Sequence, residues 1–176
     1  MAVPSWWESA LKSALSQGDV VQKIPFCGVT APATFLRWLT LRGGRPGWEE
    51  VPAPVLRPSD QRKYFLANGD ILPGLVISHD CDLDKQRANG KVLLAPIASI
   101  QTLEPAMRST VLDQKHLALL PLPLVPGLGD SYADLRSITP VPRELVLDSE
   151  RVVSMNPSGV DRLYAQLFKF TMRREP

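Results

Sequence analysis

The segment ILPGLVISHDCDLDKQRANGKVLLAPIASI, residues 71–100, decides the fold that we predict for this chain. Two uniformly apolar runs, LPGLVIS at 72–78 and VLLAPIAS at 92–99, flank a polar linker in which Asn89-Gly90 closes the turn. Such runs are typical of central strands buried on both faces, or of the strands of a small barrel. The segment therefore predicts two strands joined by a linker, with chemically reactive side chains where the first strand ends.

Composition places the chain among ordinary globular proteins and excludes several other classes. The 176 residues are 44% hydrophobic and 22% charged, and the net charge of +2 permits nucleic-acid binding without requiring it. No apolar run reaches the roughly 20 residues that span a bilayer, and the N-terminus has no signal-peptide pattern. Two cysteines do not form a disulfide framework. We therefore expect a cytoplasmic protein without membrane segments.

Short elements punctuated by 17 prolines predict a single α+β domain rather than a helical bundle. Ser5 and Glu8 have capping-box spacing and favour an N-terminal helix. Pro121 and Pro123 interrupt a later strand, which we expect at a sheet edge because proline cannot donate to a ladder. Strands with single helices at both ends predict a small, partly open β-barrel. Its expected parts are an N-terminal helix (1–17), barrel strands (18–30 and 71–155), a loop-rich insertion (31–70) and a C-terminal helix (156–176).

Five motifs follow one another in an order that carries a family resemblance. They are GDVV (18–21), LPGLVIS (72–78), VLLAPIAS (92–99), HLALLP (116–121) and GDSYADLRSI (129–138). This order resembles the MazF/PemK family of toxin endoribonucleases, which share a small SH3-like barrel. The resemblance implies a barrel of that type with a long insertion after its first strand. It also implies cleavage of single-stranded RNA, an antitoxin-like protein partner and a homodimer.

Two positions depart from the family pattern and shape the list of candidate residues. Leu72 stands where the family has a basic residue before the proline of its second strand. The third strand of the family ends in a hydroxyl residue that helps catalysis, and here Ala98 and Ser99 occupy that end. Only Ser99 can therefore supply the hydroxyl, so the fold is implied more firmly than the activity.

Cleavage of RNA by its own 2′-hydroxyl needs proton transfer and stabilisation of the phosphorane charge. His79, which is suited to proton transfer near neutral pH, is the central candidate, and Asp80 accompanies it in the same cluster. Ser99 could donate a hydrogen bond to a phosphate oxygen. Arg62, from the insertion, or Arg87, beyond the motif, could supply the positive charge that Leu72 lacks.

Aromatic residues of the insertion form the predicted substrate-binding set. Trp38, Trp48 and Tyr64 lie among the arginines that make this part of the chain its most basic region. Aromatic rings beside cations stack on the bases of single strands. The alternative is that these rings cover the open side of the barrel, and the sequence leaves both interpretations open.

The chain contains one set of side chains that could hold zinc. Cys27, His79, Cys81 and His116 are all of its cysteines and histidines, and two of each make a complete tetrahedral set. Residues 79 and 81 point the same way in an extended strand and could chelate together. The alternatives are a partial site made of this pair, or no site, with the cysteines buried as small apolar residues and His116 acting as a cap.

Two function hypotheses follow from these candidates. The first is a toxin-like endoribonuclease that acts through His79, Ser99 and an arginine and requires no cofactor. The second is a non-catalytic barrel that binds a nucleic acid or a protein partner, with or without a structural zinc. For either one, the apolar segment 117–128 would offer an edge for a homodimer.

Overall fold

The computed structural model describes the backbone of residues 6–28, 35–39, 47–51, 68–83 and 90–172, and the side chains of residues 6–26, 70–83 and 90–172. The chain divides into two compact units. The first comprises residues 1–24 and 71–176, and the second comprises residues 25–70. The predicted insertion, 31–70, falls within the second unit.

Nine strands and four short-to-medium helices make up the described part of the chain, which is of the predicted α+β class. The strands are β1 (Val20–Gly28), β2 (Phe35–Leu39), β3 (Gly47–Val51), β4 (Asn68–Val76), β5 (Lys91–Ser99), β6 (Leu119–Val125), β7 (Gly129–Asp134), β8 (Thr139–Pro142) and β9 (Arg151–Val153). The helices are α1 (Asp80–Leu83), α2 (Pro105–Leu112), α3 (Arg143–Leu147) and α4 (Pro157–Met172). Short 3-10 turns cover Ile100–Thr102 and Leu135–Ser137.

One antiparallel sheet, curled into a half-barrel, organises the first unit. Its strand order is β6-β7-β5-β4-β1-β9, and β8 also pairs with β5. The central strand β5 changes partners along its length. Leu94 pairs with both Val76 and Thr139, whereas Ile97 pairs with Ala133 of β7. The two apolar runs predicted as strands are thus β4 and β5. The predicted partly open, curled sheet is confirmed as a curled antiparallel half-barrel.

The core fills the concave side of this sheet and is closed by α4. Fully buried side chains such as Leu75, Ile97, Leu120 and Met155 meet Leu163 of the helix. Each such side chain contributes about 1.5–3 kcal/mol through removal of apolar surface from water. Within the described residues, the C-terminal helix predicted over 156–176 is α4, and its residues Val160, Leu163 and Leu167 pack on the core. No helix in the described ranges is long and apolar enough to cross a membrane.

Residues 6–17 do not form the predicted N-terminal helix. Trp6 and Trp7 are both buried, and Trp7 makes an isolated antiparallel bridge with Met155. The amide of Glu8 donates to the carbonyl of Ser154 at 2.9 Å, so a backbone group that a helix would use locally is paired at long range. Burial of two consecutive tryptophans outweighs the local capping signal, because propensity is weak beside tertiary packing.

The proline-containing strand β6 lies at the edge of the sheet, as predicted. Pro121 and Pro123 have no amide to offer, and a register shift between Leu122 and Val125 interrupts the ladder. The intervening Leu124 has a φ of 49°. Prolines and bulges are devices that protect an edge from pairing with another chain. A homodimer through residues 117–128 therefore remains a prediction, and strand pairing is a poor route to it.

Part of the predicted loop-rich insertion is a β-hairpin. In the second unit, β2 and β3 pair antiparallel, with Phe35 opposite Val51 and Trp38 opposite Trp48. Residues 47–51 are therefore a strand and not the loop that their glycine and proline neighbours indicate. Aromatic and β-branched residues at facing positions favour strands, and this preference outweighs the turn-forming neighbours.

Candidate functional site

The candidate site begins where β4 ends. After Val76 the chain continues its pairing for two residues, because the amide of Ile77 donates to the carbonyl of Leu93 and the Ser78 hydroxyl accepts from the Leu93 amide at 2.8 Å. The chain then turns sharply into α1. The carbonyl of His79 accepts from the amides of residues 82 and 83. The HDCD motif thus lies in a helical turn, not in the extended chain that the sequence predicted.

His79 and Cys81 contact each other within this turn. Their Nδ1 and Sγ atoms are 3.1 Å apart, and the Cys81 amide also donates to Nδ1 at 3.2 Å. Because an amide can only donate, Nδ1 is the acceptor, and the neutral ring has its proton on Nε2. Both side chains are exposed. The predicted approach of residues 79 and 81 is therefore found, on a different backbone.

Asp80 anchors the turn to the N-terminal segment. Its Oδ1 accepts from the Gln17 amide at 2.6 Å, and the Gln17 side chain donates to the carbonyl of Ile77 at 2.8 Å. A carboxylate that accepts a short backbone hydrogen bond is held in place. Through this contact Asp80 holds the turn that contains His79, and the catalytic role that the sequence predicts for it stays a prediction.

Three large apolar side chains extend the site along α4. The ring of Tyr164 lies 6.3 Å from the His79 ring, centroid to centroid, at an angle of 40°. Tyr164, Phe168 and Met172 are spaced four residues apart and are 41%, 46% and 56% exposed. Residues at this spacing share one side of a helix. We call the set of His79, Tyr164, Phe168 and Met172 the α4 face.

Two carboxylates lie near Tyr164 on the α4 face. The pKa of the Tyr164 phenol is raised, first by burial and then by electrostatic interaction with Asp80, Cys81 and Asp161. The phenol therefore stays protonated at neutral pH and remains a hydrogen-bond donor. Carboxylates repel phosphate groups, so Asp80 and Asp161 disfavour a phosphate directly beside Tyr164.

Ser99 lies far from His79, which separates two members of the predicted catalytic set. Ser99 ends β5 opposite Ser131, is exposed, and caps the 3-10 turn by accepting from the Gln101 amide. Ser78, next to His79, is level with Leu93. The six steps from residue 93 to residue 99 span about 20 Å at roughly 3.3 Å per residue. Antiparallel neighbours end at opposite ends of a sheet, so His79 and Ser99 do not form one site.

His116 is a cap. Its Nδ1 accepts from the amides of Ala118 and Leu119 at 3.2 and 3.0 Å, and its carbonyl accepts from the Gln166 side chain at 2.7 Å. Across the described residues, no three histidine, cysteine, aspartate or glutamate side chains gather as a metal site. His79, Cys81 and His116 therefore do not form one cluster. The side chain of Cys27, the fourth predicted ligand, lies outside the description.

The remaining candidates fall on parts of the chain that the structure does not describe. Arg62, Tyr64 and Arg87 lie outside the described residues, and so do the side chains of Trp38 and Trp48. The backbone register does place Trp38 and Trp48 at facing positions of the β2–β3 hairpin. Their roles in charge stabilisation and base stacking stay predictions.

Sequence reasoning missed Gln17 and the exposed side of α4. Gln17 gives no local signal, because its contact with Asp80 joins residues 63 positions apart. The exposed stripe on α4 did give a signal in the sequence. Once the apolar side of a C-terminal helix is assigned, Tyr164 and Phe168 are left on the other side, which is unusual for aromatic residues.

The capping role of His116 predicts how stability depends on pH. The pKa of His116 lies below its ordinary value of 6.5, first because of burial and then because of Arg136, while Asp134 acts in the opposite direction. As the pH falls through 6.5, the unfolded chain binds the proton first, so the folded state should lose stability until the pH has passed below the folded pKa.

Replacing His116 by asparagine should remove this pH dependence, because an amide oxygen can accept from the same backbone amides without titrating. Urea unfolding at pH 8 and at pH 5 measures the change in the free energy of unfolding between these two pH values. The His79→Ala variant is the control, because it leaves the His116 cap intact. An equal loss of stability between these pH values in His116→Asn and the unsubstituted protein would contradict the assignment.

Comparison of the chain with protein families and with curated proteins finds no match. The resemblance to the MazF/PemK family consequently stays a prediction from the five sequence motifs. Function has to be argued from the geometry of the site.

Proposed function

We propose that this chain is a binding module that recognises a protein partner through the α4 face. The observation that supports it is the exposed stripe of Tyr164, Phe168 and Met172, which continues into the His79 ring. Contiguous exposed apolar surface marks interaction sites on soluble domains. Aromatic residues and methionine are enriched at the centres of protein interfaces.

The charges around this stripe indicate the chemistry of the partner. Asp80 and Asp161 lie close enough to Tyr164 to raise the pKa of its phenol. A partner segment that presents an apolar side chain to Phe168, flanked by lysine or arginine, would match both properties of the surface. RNA would place phosphates against the same carboxylates, so a protein is the better fit.

The fold type forms part of the proposal. The sheet is curled and antiparallel, and β6, which follows β5 in sequence, lies at its edge. This arrangement agrees with a small SH3-like barrel, and the order of the five motifs supports the MazF/PemK type. That resemblance makes an antitoxin-like protein the first class of partner to test. An extended or helical segment laid on a domain surface is a recurring way in which one protein recognises another.

Site-specific photo-crosslinking in the native host tests this proposal. A crosslinking residue at Phe168 should capture one defined protein, whereas the same residue at Leu124, an equally apolar position that is 66% exposed on β6, should not. With the captured protein purified, Phe168→Ser should weaken binding at least tenfold, because loss of an interface anchor costs about 2 kcal/mol or more. Leu124→Ser should leave the affinity unchanged.

Three outcomes would refute a protein-binding role for the α4 face. The first is crosslinking at Phe168 that yields RNA and no protein. The second is an identical set of products at Phe168 and Leu124. The third is a captured partner whose affinity does not respond to Phe168→Ser.

A ribonuclease is the second candidate, and the contact between His79 and Cys81 is the observation that favours it. In the neutral ring the basic nitrogen Nδ1 accepts from the Cys81 amide, so the ring presents Nε2–H as a hydrogen-bond donor to a phosphate oxygen. Protonation of the leaving oxygen would require the imidazolium form of His79. The Tyr164 phenol could donate to a phosphate oxygen. Arg62 and Arg87 remain the proposed sources of positive charge.

Incubation of purified protein with single-stranded RNA separates the two candidates. For a ribonuclease, His79→Ala should lower the cleavage rate by about 100-fold or more, while Ser99→Ala should have no effect because Ser99 lies at the other end of β5. Products that end in 2′,3′-cyclic phosphate identify attack by the 2′-hydroxyl. RNA that stays intact at high protein concentration would exclude this candidate.

A further inference from the structure

A cavity of about 420 Å³ lies between residues 11–15, α3 and the start of β9, within the first unit. None of the residues of the α4 face lines it. Its apolar wall consists of Leu11, Leu15, Val146 and Leu147. Its volume lies in the range of small-molecule sites, which combine apolar walls with a few polar groups that fix orientation.

Arg151 forms one polar wall and already makes three hydrogen bonds and an ion pair within the protein. Its Nη1 donates to the carbonyl of Ala14 at 2.7 Å and to Oδ2 of Asp19 at 3.2 Å, and its Nη2 donates to the carbonyl of Lys12 at 2.9 Å. The buried Asp19 carboxylate offsets its positive charge. Arg151 therefore shapes the cavity without adding net charge to it.

Arg143 supplies the second polar wall and is not balanced in this way. Its Nη1 donates to the carbonyl of Leu83. No carboxylate of the described residues pairs with it. A guanidinium has five N–H donors in a planar fork, and four of these have no protein partner within the same ranges. Among the described residues, Arg143 is thus a cation without a paired carboxylate, and it lines the cavity beside four aliphatic side chains.

We propose that this cavity binds a small organic monocarboxylate with an aliphatic body. The carboxylate forms a bidentate pair with Arg143, since guanidinium and carboxylate geometries match. The body covers Leu11 and Leu147, which are 45% and 55% exposed without it. One cation without a carboxylate partner among the described residues fits one negative charge, so a phosphate dianion is the poorer ligand.

Calorimetric titration with octanoate tests whether the cavity binds a ligand that has both a carboxylate and an aliphatic body. Octanoate should bind saturably. Octanamide keeps the aliphatic body and has no charge. It should bind at least tenfold more weakly, because hydrogen bonds between charged groups are stronger than those to a neutral amide. Octyl phosphate should bind more weakly than octanoate. Absence of saturable octanoate binding, or equal affinity for octanamide, would overturn the proposal, and tighter binding of octyl phosphate would overturn the monocarboxylate class.

Two substitutions assign the site to this cavity. Arg143→Gln should lower the octanoate affinity at least tenfold, and Leu147→Ser should lower it severalfold. Arg162→Gln, an exposed arginine on α4 whose side chain donates to Gln114, should leave it unchanged, as should Phe168→Ser on the α4 face. If Arg143→Gln does not fold, the octanamide comparison still tests the role of the charge, and Leu147→Ser still tests whether octanoate binds in this cavity. Unchanged octanoate binding in Leu147→Ser would place the ligand elsewhere and refute the assignment.

Discussion

Substitution of Gly159 by alanine is expected to destabilise the protein by about 2–3 kcal/mol, the cost typical of overpacking a core. The same change in an exposed helix would stabilise by up to about 1 kcal/mol. The sign reverses here because a Cβ at residue 159 would lie 2.6 Å from the Trp6 carbonyl oxygen and 3.2 Å from the Met155 side chain. The Trp6 carbonyl cannot easily retreat, since it accepts from the amide of Asn156 at 2.9 Å.

Urea unfolding of Gly159→Ala and of Ser158→Ala makes this comparison. Ser158 is the preceding, exposed residue of the same helix turn, so its substitution should change the free energy of unfolding by no more than about 0.5 kcal/mol. A Gly159→Ala protein as stable as the parent would mean that α4 does not pack against Trp6. The orientation of the whole helix, and with it the exposure of the α4 face, would then be wrong.

The elements that sequence predicted correctly are those whose local pattern and tertiary environment agree. Pro121 and Pro123 can be accommodated only at an edge, and β6 is an edge strand. Leu163 lies on the apolar side of a regular helix and is buried. The N-terminal segment failed for the opposite reason. Its capping-box spacing favours a helix, but Trp6 and Trp7 both reach the core only if the chain runs extended beside residues 154–156.

The candidate site was predictable only where it is local. His79 and Cys81 are two residues apart, so their contact is available on either an extended or a helical backbone. Ser99 was grouped with His79 because the family resemblance implies a catalytic hydroxyl residue at the end of the third strand. Once β4 and β5 are paired antiparallel, the ends of these strands lie at opposite ends of the sheet, so the grouping fails. The contact between Gln17 and Asp80 depends on the whole fold and leaves no trace in either segment alone.

Replacement of Arg151 by methionine is expected to destabilise the protein by about 3–5 kcal/mol, the range for removing one partner of a buried ion pair. Asp19 belongs to the Gly18-Asp19 motif and has no solvent exposure. Its Oδ2 accepts from the Ser16 amide and from Arg151, while Oδ1 has no hydrogen-bond partner among the residues described. Without Arg151 the carboxylate would lose its only described counter-charge and stay out of contact with water.

Chemical unfolding of a small set of variants separates charge from packing in this prediction. Asp19→Asn combined with Arg151→Met should recover part of the stability that Arg151→Met alone loses, because the uncompensated charge is then gone. Arg136→Met breaks the exposed pair with Asp134 and should cost no more than about 1 kcal/mol. If Arg151→Met costs no more than Arg136→Met, Asp19 is not a desolvated carboxylate. The Gly18-Asp19 motif would then need another explanation, and Arg151 would be free to act as a second cation in the cavity.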